Sequence, residues 1–372
     1  MTVAGSGAMT GSGAAAGDRR RGDISVTRIA QLAGVSVPTV SKVLNGRAGV
    51  ADSTRQRVED IIRENGYRRP EAAGPSPVVE VLFPSLDTPW ALEILRGVTE
   101  VAGPRGLAVA VTEMQGRTVP PRTWAQDVLA RRPVGVIAIT ARLTGGQQAQ
   151  LASRRMPLVA LDPTGDPQHE APSVGAMNWN GGLAAARHLL ELGHRRIAVL
   201  TGPADLLCCR ARLDGFRAGL DAAGVTADPD LVRTGELIAD EGVRVARELL
   251  ALADPPTAIF TANDLQAFGV YAAAHGAGVR IPADLSVVGF DDLPVAQWSV
   301  PALTTVRQPL LRMGATAMDL LLTLAAGREP ASDRIELPTV LIPRASTAPP
   351  RSSTTGPGTA VAPAEQPGRP LA

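Results

Sequence analysis

Residues 25–45 constrain the fold of this chain more tightly than any other stretch. Apolar residues recur every three or four positions on both sides of Gly34, which predicts two short helices that each bury one face. Gly34 favours a helix end because glycine tolerates the left-handed conformation of a C-terminal cap. Ser25 and Ser36 are predicted N-caps, since a serine oxygen accepts from amides that lack a partner inside the helix.

The outward face of the second helix has the character of a surface that contacts another molecule. Its inward residues are Val40, Val43 and Leu44, and its outward residues are Val37, Pro38, Ser41, Lys42 and Asn45. A helix-turn-helix places such a second helix in the DNA major groove, whereas an ordinary αα-hairpin has the same spacing. On spacing alone both interpretations stay open. A third helix, predicted from Asp52 to Asn65 and ended by Gly66, completes a three-helix head at residues 23–67.

The same stretch carries a family resemblance. The motif Ala30-Gln-Leu-Ala-Gly-Val-Ser-Val-Pro-Thr-Val-Ser-Lys-Val-Leu-Asn-Gly46 continues into Gly49-Val50, Thr54-Arg55, Val58 and Gly66-Tyr67. Together these residues resemble the lactose-repressor/galactose-repressor family of bacterial transcription regulators. The resemblance implies a head that binds double-stranded operator DNA and a periplasmic-binding-protein-like body with an effector cleft between two lobes. It also implies a homodimer on a palindromic operator, because one small module seldom supplies enough affinity or site length.

From Val78 onward the residues themselves predict an α/β body. Short apolar runs bounded by loops alternate with helical stretches, which is typical of βαβ units and of parallel sheets buried on both faces. About 265 residues exceed one comfortable core, so two doubly wound lobes are expected. Following the resemblance, we assign lobe one to residues 78–176 and 309–333. Lobe two then takes residues 177–306 and 334–344.

The linker between head and body departs from the family pattern. Residues 68–77 contain three prolines and Gly74, which leave no room for a stable helix. Members of the family normally have a hinge helix here, with a leucine wedge for the minor groove. This segment is shorter and lacks the leucine, so the resemblance does not extend to that DNA-kinking device.

Charge is distributed unevenly along the chain. Residues 19–70 carry eleven basic and five acidic residues, whereas the remainder carries 26 basic and 31 acidic residues. A basic head on an acidic body fits a DNA-binding module attached to a domain that does not bind DNA. The Gly/Ala/Ser-rich arm at residues 1–22 and the Pro/Ser/Thr-rich tail at residues 345–372 are predicted to be disordered.

Three further classes of protein fit the sequence poorly. The adjacent Cys208 and Cys209 suit neither a disulfide framework nor a metal site, and no cofactor is expected. An export signal and a membrane span are not recognisable, so a cytoplasmic protein without a membrane partner is expected. The four histidines show no metal-ligand spacing and no nucleophile motif is present, which argues against an enzyme.

The DNA-contacting residues follow from the second helix and from the resemblance. Val37, Pro38 and Lys42 match the family's base-facing positions: the lysine suits a guanine, and the two apolar residues suit a thymine methyl group. Phosphates are the predicted partners of Ser36, Thr39, Ser41 and Asn45. For each serine or threonine the alternative is simple helix capping.

The effector-binding residues are predicted at the carboxyl ends of strands, where clefts of open α/β sheets lie. Asp87 and Asp162 follow predicted strands. The segments Thr201-Gly-Pro203, Arg210–Phe216, Thr261–Asp264, Val287–Asp292 and Leu303–Gln308 resemble the family's effector motifs. By position, that resemblance assigns hydrogen bonds to a small polar ligand to Asp162, Arg212, Asn263, Asp291 and Gln308. Paired acceptors and donors of this kind suit the hydroxyl groups of a sugar, although a purine-like effector stays open.

Two positions in this predicted cleft have competing interpretations. Leu237 stands where the family has a stacking aromatic residue, and Trp90 is our candidate replacement against a sugar face. The alternative is a tryptophan buried under its own helix. Asp264 either contacts the ligand or caps a helix that begins at Leu265.

The predicted function is that of a DNA-binding repressor of carbohydrate-utilisation genes, which a sugar releases from its operator. The alternative is a sugar-binding receptor without a DNA function.

Overall fold

The structure is a computed structural model that describes residues 25–44, 49–65, 75–163 and 171–351. The chain divides into two units, Met1–Gly74 and Pro75–Ala372. The predicted arm at residues 1–22 lies outside the described residues, as do Asn45 and most of the linker.

The described part of the first unit is a bundle of three short helices: α1 (Val26–Ala33), α2 (Val37–Leu44) and α3 (Asp52–Glu64). The Oγ of Ser25 accepts a hydrogen bond from the Arg28 amide at 3.2 Å, and Gly34 ends α1 with φ at 62°. Both predicted caps of α1 are therefore confirmed. The helices enclose one small core, formed by Ile29, Ala30, Ala33, Val40, Val43 and Val58.

The second unit begins with alternating strands and helices, as the periodicity predicts. Its first half contains β1 (Val78–Phe83), α4 (Pro89–Ala102), β2 (Ala108–Glu113), α5 (Trp124–Arg131), β3 (Val136–Ile139), α6 (Gly145–Ser153), β4 (Leu158–Leu161) and β5 (Ser173–Ala176). The following part contains α7 (Asn178–Glu191), β6 (Ile197–Thr201), α8 (Leu207–Ala222), β7 (Val232–Thr234), α9 (Ala239–Leu250), β8 (Ala258–Thr261), α10 (Asp264–Gly276), β9 (Ser286–Asp291) and β10 (Thr304–Arg307). The last elements of the described residues are α11 (Leu310–Ala325), β11 (Arg334–Leu337) and β12 (Val340–Ile342).

These strands form two six-stranded sheets, one in each lobe. The order is β11-β5-β4-β3-β1-β2 in lobe one and β12-β10-β9-β8-β6-β7 in lobe two. Neighbouring strands are parallel, except that β12 runs antiparallel to β10. Because the central strands are covered on both faces, their side chains are almost wholly apolar, and the predicted doubly wound α/β fold is confirmed.

The chain passes between the lobes three times, after β5, after β10 and after β11. Helix α11 packs against α4 in the core of lobe one, where the resemblance places the last helix. Our assignment of residues 334–344 wholly to lobe two was wrong. Strand β11 pairs with β5 and extends the sheet of lobe one, so only β12 belongs to lobe two. Strand β5 was not predicted, because its four residues include only one large apolar side chain, that of Val174.

The prediction of disorder from residue 345 onward is wrong for the first residues of that segment. Ser346 is fully buried, and its Oγ accepts from the Thr304 amide at 2.8 Å and donates to the Val287 carbonyl at 2.6 Å. His194 Nε2 lies 2.9 Å from the Ala348 carbonyl oxygen. The small residues at 345–348 therefore pack on lobe two. Their composition resembles that of a disordered segment, but small side chains also fit close against a sheet. Residues 352–372 lie outside the described residues. Within the described ranges, no helix is long and apolar enough to cross a membrane.

Candidate functional site

A cleft of about 610 Å³ lies between the two lobes at the carboxyl ends of the strands. Its volume falls in the range of small-molecule sites. Six of the seven predicted effector residues line it: Asp87, Trp90, Asp162, Arg212, Asn263 and Asp291.

Arg212 is a buried cation in this cleft. Helix α8 carries it, its side chain is 4% exposed, and its guanidinium carbon lies 3.8 Å from the centre of the Phe290 ring. Its Nε donates to Asn178 Oδ1 at 2.9 Å and its Nη1 donates to the Ala262 carbonyl at 2.5 Å. The guanidinium is thus held rigidly, and its Nη2 makes no hydrogen bond to the described residues. A rigid, planar donor group of this kind suits paired oxygens of a ligand.

Two buried carboxyl groups accompany Arg212. Asp291 Oδ1 lies 3.8 Å from Arg212 Nη1. Burial raises the pKa of Asp291 to about 7, against the opposing effects of the Arg212 charge and the Gln308 hydrogen bond. Burial likewise raises the pKa of Asp162 to about 6, against the opposing effects of Arg212 and of a hydrogen bond from the Ala176 amide. The two groups therefore change their protonation between about pH 5 and pH 8, and a hydrogen-bond donor that a ligand supplies would favour their ionised forms.

The backbone is strained at these same positions. Asp162 has φ at 45°, Asp291 has φ at 113°, and Thr140 has φ at 42°. Non-glycine residues rarely adopt positive φ, and such strain concentrates at binding sites that the surrounding fold holds in place. Thr140 and Asp162 directly follow β3 and β4, and Asp291 is the last residue of β9.

Asn263 and Gln308 are tied to the protein itself. Asn263 Oδ1 accepts from the Gln266 amide at 2.9 Å, and its Nδ2 donates to the Leu237 carbonyl at 3.0 Å. Gln308 does not line the cleft: its Nε2 donates to Asp291 Oδ1 at 2.6 Å, so the amide supports that carboxyl group from behind.

The structure corrects the interpretation of Asp264 as a helix cap. Asn263 is the N-cap of α10, and Asp264 is the first residue of that helix. The Asp264 carboxyl group is fully buried and accepts from the Leu293 amide at 2.8 Å and from the Thr305 hydroxyl at 2.5 Å. Burial, together with the nearby Asp291, holds the pKa of Asp264 well above its ordinary value. The residue thus links α10 to β10 and to the segment that follows β9.

Sequence reasoning missed a polar wall in lobe one. Glu113 lines the cleft, and its Oε1 accepts from the Leu86 amide at 3.1 Å and lies 3.5 Å from the Ser85 Oγ. Ser85 also donates to Asp87. Thr140 lines the cleft as well, with a buried hydroxyl group that has no partner among the described residues. Glu113 ends β2 and Thr140 follows β3, so the strand-end rule identifies both when it is applied to every strand.

An apolar wall faces these polar groups. It consists of Leu206, Leu237, Ile238, Leu265 and Leu293, with Trp90 beside it. Leu237 therefore does lie in the cleft, where it packs against Leu206 and the Cys208–Cys209 pair. Trp90 is half-buried, and it both packs on the core of lobe one and lines the cleft, so the two interpretations of this residue each describe part of its surroundings. Cys208 and Cys209 are free thiols in the first turn of α8.

In the head, the outward residues of α2 form one exposed face. Ser36, Val37, Pro38, Ser41 and Lys42 are exposed, and Thr39 is partly so. The Ser36 Oγ accepts from the Thr39 amide at 3.4 Å and lies 2.9 Å from the Thr39 Oγ1, so both hydroxyl groups also act at the helix start. Asn45 lies outside the described residues.

Fold and site together define a class of protein: a two-lobed small-molecule-binding body joined to a helix-turn-helix head, as in ligand-responsive DNA-binding regulators. The family model for bacterial regulatory proteins of the lacI family matches residues 26–70, and the model for periplasmic binding protein-like domains matches residues 186–347. The HTH-type transcriptional repressor CytR of Escherichia coli (strain K12) is 31% identical over 325 residues, which cover 86% of this chain and 95% of CytR. The chain belongs to the LacI family of bacterial transcription regulators.

Other relatives agree in sequence and in structure. The repressor PurR of Photobacterium profundum is 30% identical over 308 residues, covering 80% of this chain and 91% of PurR. The regulator CelR in complex with cellobiose superposes with a TM-score of 0.68 at 32% identity, covering 87% of this chain and 99% of CelR. A lac repressor dimer bound to operator and the anti-inducer ONPF superposes with a TM-score of 0.65 at 29% identity, covering 87% of this chain and 99% of that repressor.

Proposed function

We propose that this protein is a transcriptional repressor whose operator affinity falls when a small polyhydroxylated molecule binds between the lobes. The observation that carries the proposal is the buried Arg212 with Asp162 and Asp291 at the bottom of the cleft, in a chain whose head exposes one face of α2. Ligand contacts that differ between open and closed lobes supply the free energy that shifts the protein between states.

The chemistry of the cleft favours a sugar or a glycoside. The carboxyl groups of Asp162, Asp291 and Asp87 accept from hydroxyl groups, and Arg212 donates to them, whereas the apolar wall suits the non-polar face of a ring. The CelR structure contains cellobiose, and the relatives CytR and PurR are named as transcriptional repressors. A purine-like effector is the second candidate, because a flat base also fits against Leu237 and Trp90.

A homodimer on a palindromic operator follows from the same reasoning. One head offers a single short recognition helix, and two half-sites are needed for the affinity of a specific operator complex. A lac repressor of the same fold forms a dimer on its operator. A cytoplasmic location is part of this proposal, since the DNA lies there. The alternative of a receptor without a DNA function leaves the exposed face of α2 without a role.

The direct test of the proposal is selection of DNA from a random-sequence library by the full-length protein. We expect an enriched palindrome with two half-sites, bound with an affinity that falls steeply with salt because phosphates are neutralised. If no sequence were enriched, with or without sugars and nucleosides, that result would contradict a regulatory function.

Lys42 gives a sharper prediction for the head. Replacing Lys42 by alanine should cost about 1–3 kcal/mol at one base pair and relax specificity there, because a lysine ammonium donates to a guanine edge. The measurement is operator affinity for single-base-pair variants of the selected site. Arg63→Ala is the matched control, since Arg63 is an exposed cation at the end of α3 that pairs with Asp60 at 3.2 Å. An equal loss on every operator variant would show that Lys42 contacts only phosphate.

Effector affinity should rise with pH. In the free protein the pKa of Asp162 is about 6 and that of Asp291 about 7, both above the ordinary 3.8. A ligand hydroxyl group that donates to a carboxylate favours the ionised form, so binding releases protons and tightens as the pH rises. We expect a gain of at least about tenfold between roughly pH 5 and pH 8. Calorimetry in buffers of different ionisation enthalpy measures the released protons, and tighter binding at the lower pH would contradict the assignment.

The same two groups affect stability with the opposite sign. Because their folded-state pKa values are raised, their contribution to stability is complete below about pH 4 and is lost as the pH rises through 6 to 7. The unliganded protein is therefore weakened by these groups at the pH where it binds effector best, which favours a change of state on binding.

A further inference from the structure

The chain that comes from the head joins lobe one at Ser76. The Ser76 amide donates to the Arg132 carbonyl at 2.8 Å. Its hydroxyl group lies 2.6 Å from the Arg131 carbonyl oxygen and 2.8 Å from that of Arg132, so one proton is shared between two acceptors. The last carbonyl groups of a helix have no donor inside the helix, and Ser76 supplies donors to the end of α5. Ser76 is thus bound to lobe one two residues before β1 begins.

The end of α5 is itself fixed to the sheet. Arg131 donates to Glu80 Oε1 at 2.9 Å, and Glu80, in the middle of β1, is 1% exposed. The Thr112 hydroxyl donates to the same oxygen. Thr112 directly precedes Glu113, which lines the cleft. A short series of contacts therefore leads from the cleft wall through Glu80 and Arg131 to Ser76.

We propose that Ser76 is a positioning residue for operator binding, which fixes the point at which the linker leaves lobe one. The inference rests on the proposed function. Residues 68–77 contain three prolines and a glycine, and this sequence predicts no hinge helix that would itself fix the point where the linker leaves lobe one. In a dimer the two origins limit how far apart the heads can bind. Loss of the Ser76 hydroxyl contacts adds conformational freedom at the point where the linker leaves lobe one. Binding of both heads to their half-sites removes that freedom again, so operator affinity falls.

The test compares operators that differ in half-site spacing. The full-length wild-type protein and the Ser76→Ala and Ser76→Thr variants are titrated with the selected palindrome and with the same palindrome carrying two extra central base pairs. We expect the wild type to prefer the selected spacing by at least about tenfold, because added base pairs rotate and separate the half-sites. The Ser76→Ala variant should bind the selected operator about threefold to tenfold more weakly and lose most of this preference. The Ser76→Thr variant keeps the hydroxyl group and should keep the preference.

Ser153→Ala is the matched control, because the Ser153 hydroxyl donates to the Gln150 carbonyl at 2.7 Å at the end of α6, in the same lobe but away from the linker. Thermal unfolding shows whether a variant has merely lost stability. Full retention of the spacing preference by Ser76→Ala, or an equal loss in Ser153→Ala, overturns the inference and leaves the proposed function intact. Failure of the wild type to bind any palindrome overturns the proposed function itself.

Discussion

Replacing Arg212 by alanine is expected to abolish the response to effector and to lower the free energy of unfolding by about 3 kcal/mol. The substitution removes a buried cation that contacts Asn178, the Ala262 carbonyl and the Phe290 ring. It also removes the positive charge that opposes the raised pKa values of Asp162 and Asp291, so both values rise further. The instability should therefore increase with pH between about pH 5 and pH 8.

Arg217→Ala is the control for this substitution. Arg217 lies on the same helix but is half-exposed, and its Nη1 is 3.9 Å from the similarly exposed Asp214, so little stability depends on it. Chemical denaturation measures the stability of both variants, and thermal shifts with a sugar and nucleoside panel measure binding. If Arg212→Ala were as stable as Arg217→Ala and responded equally to ligands, the guanidinium of Arg212 would not organise the cleft.

Replacing Gly182 by alanine is the second substitution expected to have a large effect. A Cβ atom at this position of α7 would lie 2.0 Å from the carbonyl oxygen of Arg212 and 3.0 Å from the amide nitrogen of Phe216. Helices α7 and α8 must then separate, which displaces the backbone of Arg212 itself. We expect the free energy of unfolding to fall by about 3 kcal/mol and effector binding to weaken with it.

Gly146→Ala is the matched control. Gly146 lies in the first turn of α6, and a Cβ atom there would meet nothing within 4 Å. Because alanine forms helices more readily than glycine, this variant should be neutral or slightly more stable. Urea denaturation of both variants measures the difference. Equal stability of the two would show that the close approach of α7 and α8 does not hold Arg212 in place.

The helix caps and strand ends show what the sequence can predict. Ser25, Gly34 and the strand after Pro77 depend on local backbone chemistry, which acts over a few residues and is legible in the sequence. Asp162 and Asp291 could be assigned to the cleft because each follows a buried apolar run, and parallel strands bring their carboxyl ends together. Glu113 and Thr140 obey the same rule and were overlooked only because it was not applied to their strands.

Other features depend on contacts that sequence spacing does not record. Gln308 bonds to Asp291 instead of lining the cleft, and Asn263 takes the capping position that was one of the two interpretations of Asp264. The pairing of β11 with β5 at the sheet edge joins residues far apart in the chain. The lobe boundary at residue 334, which was taken from the resemblance, therefore assigned β11 to the wrong lobe. The packing of Ser346 likewise depends on backbone groups of β9 and β10, which its own composition does not reveal.

Control of operator binding by a ligand between the lobes can be measured by fluorescence anisotropy. Labelled operator is titrated with the wild-type protein and with Arg212→Ala at one fixed salt concentration, alone and with saturating cellobiose, ribose, galactose or cytidine. We expect at least one compound to weaken operator binding by the wild type about tenfold or more and to leave operator binding by Arg212→Ala unaffected. A compound that binds the cleft, by thermal shift, and leaves the operator affinity of the wild type unchanged would contradict it.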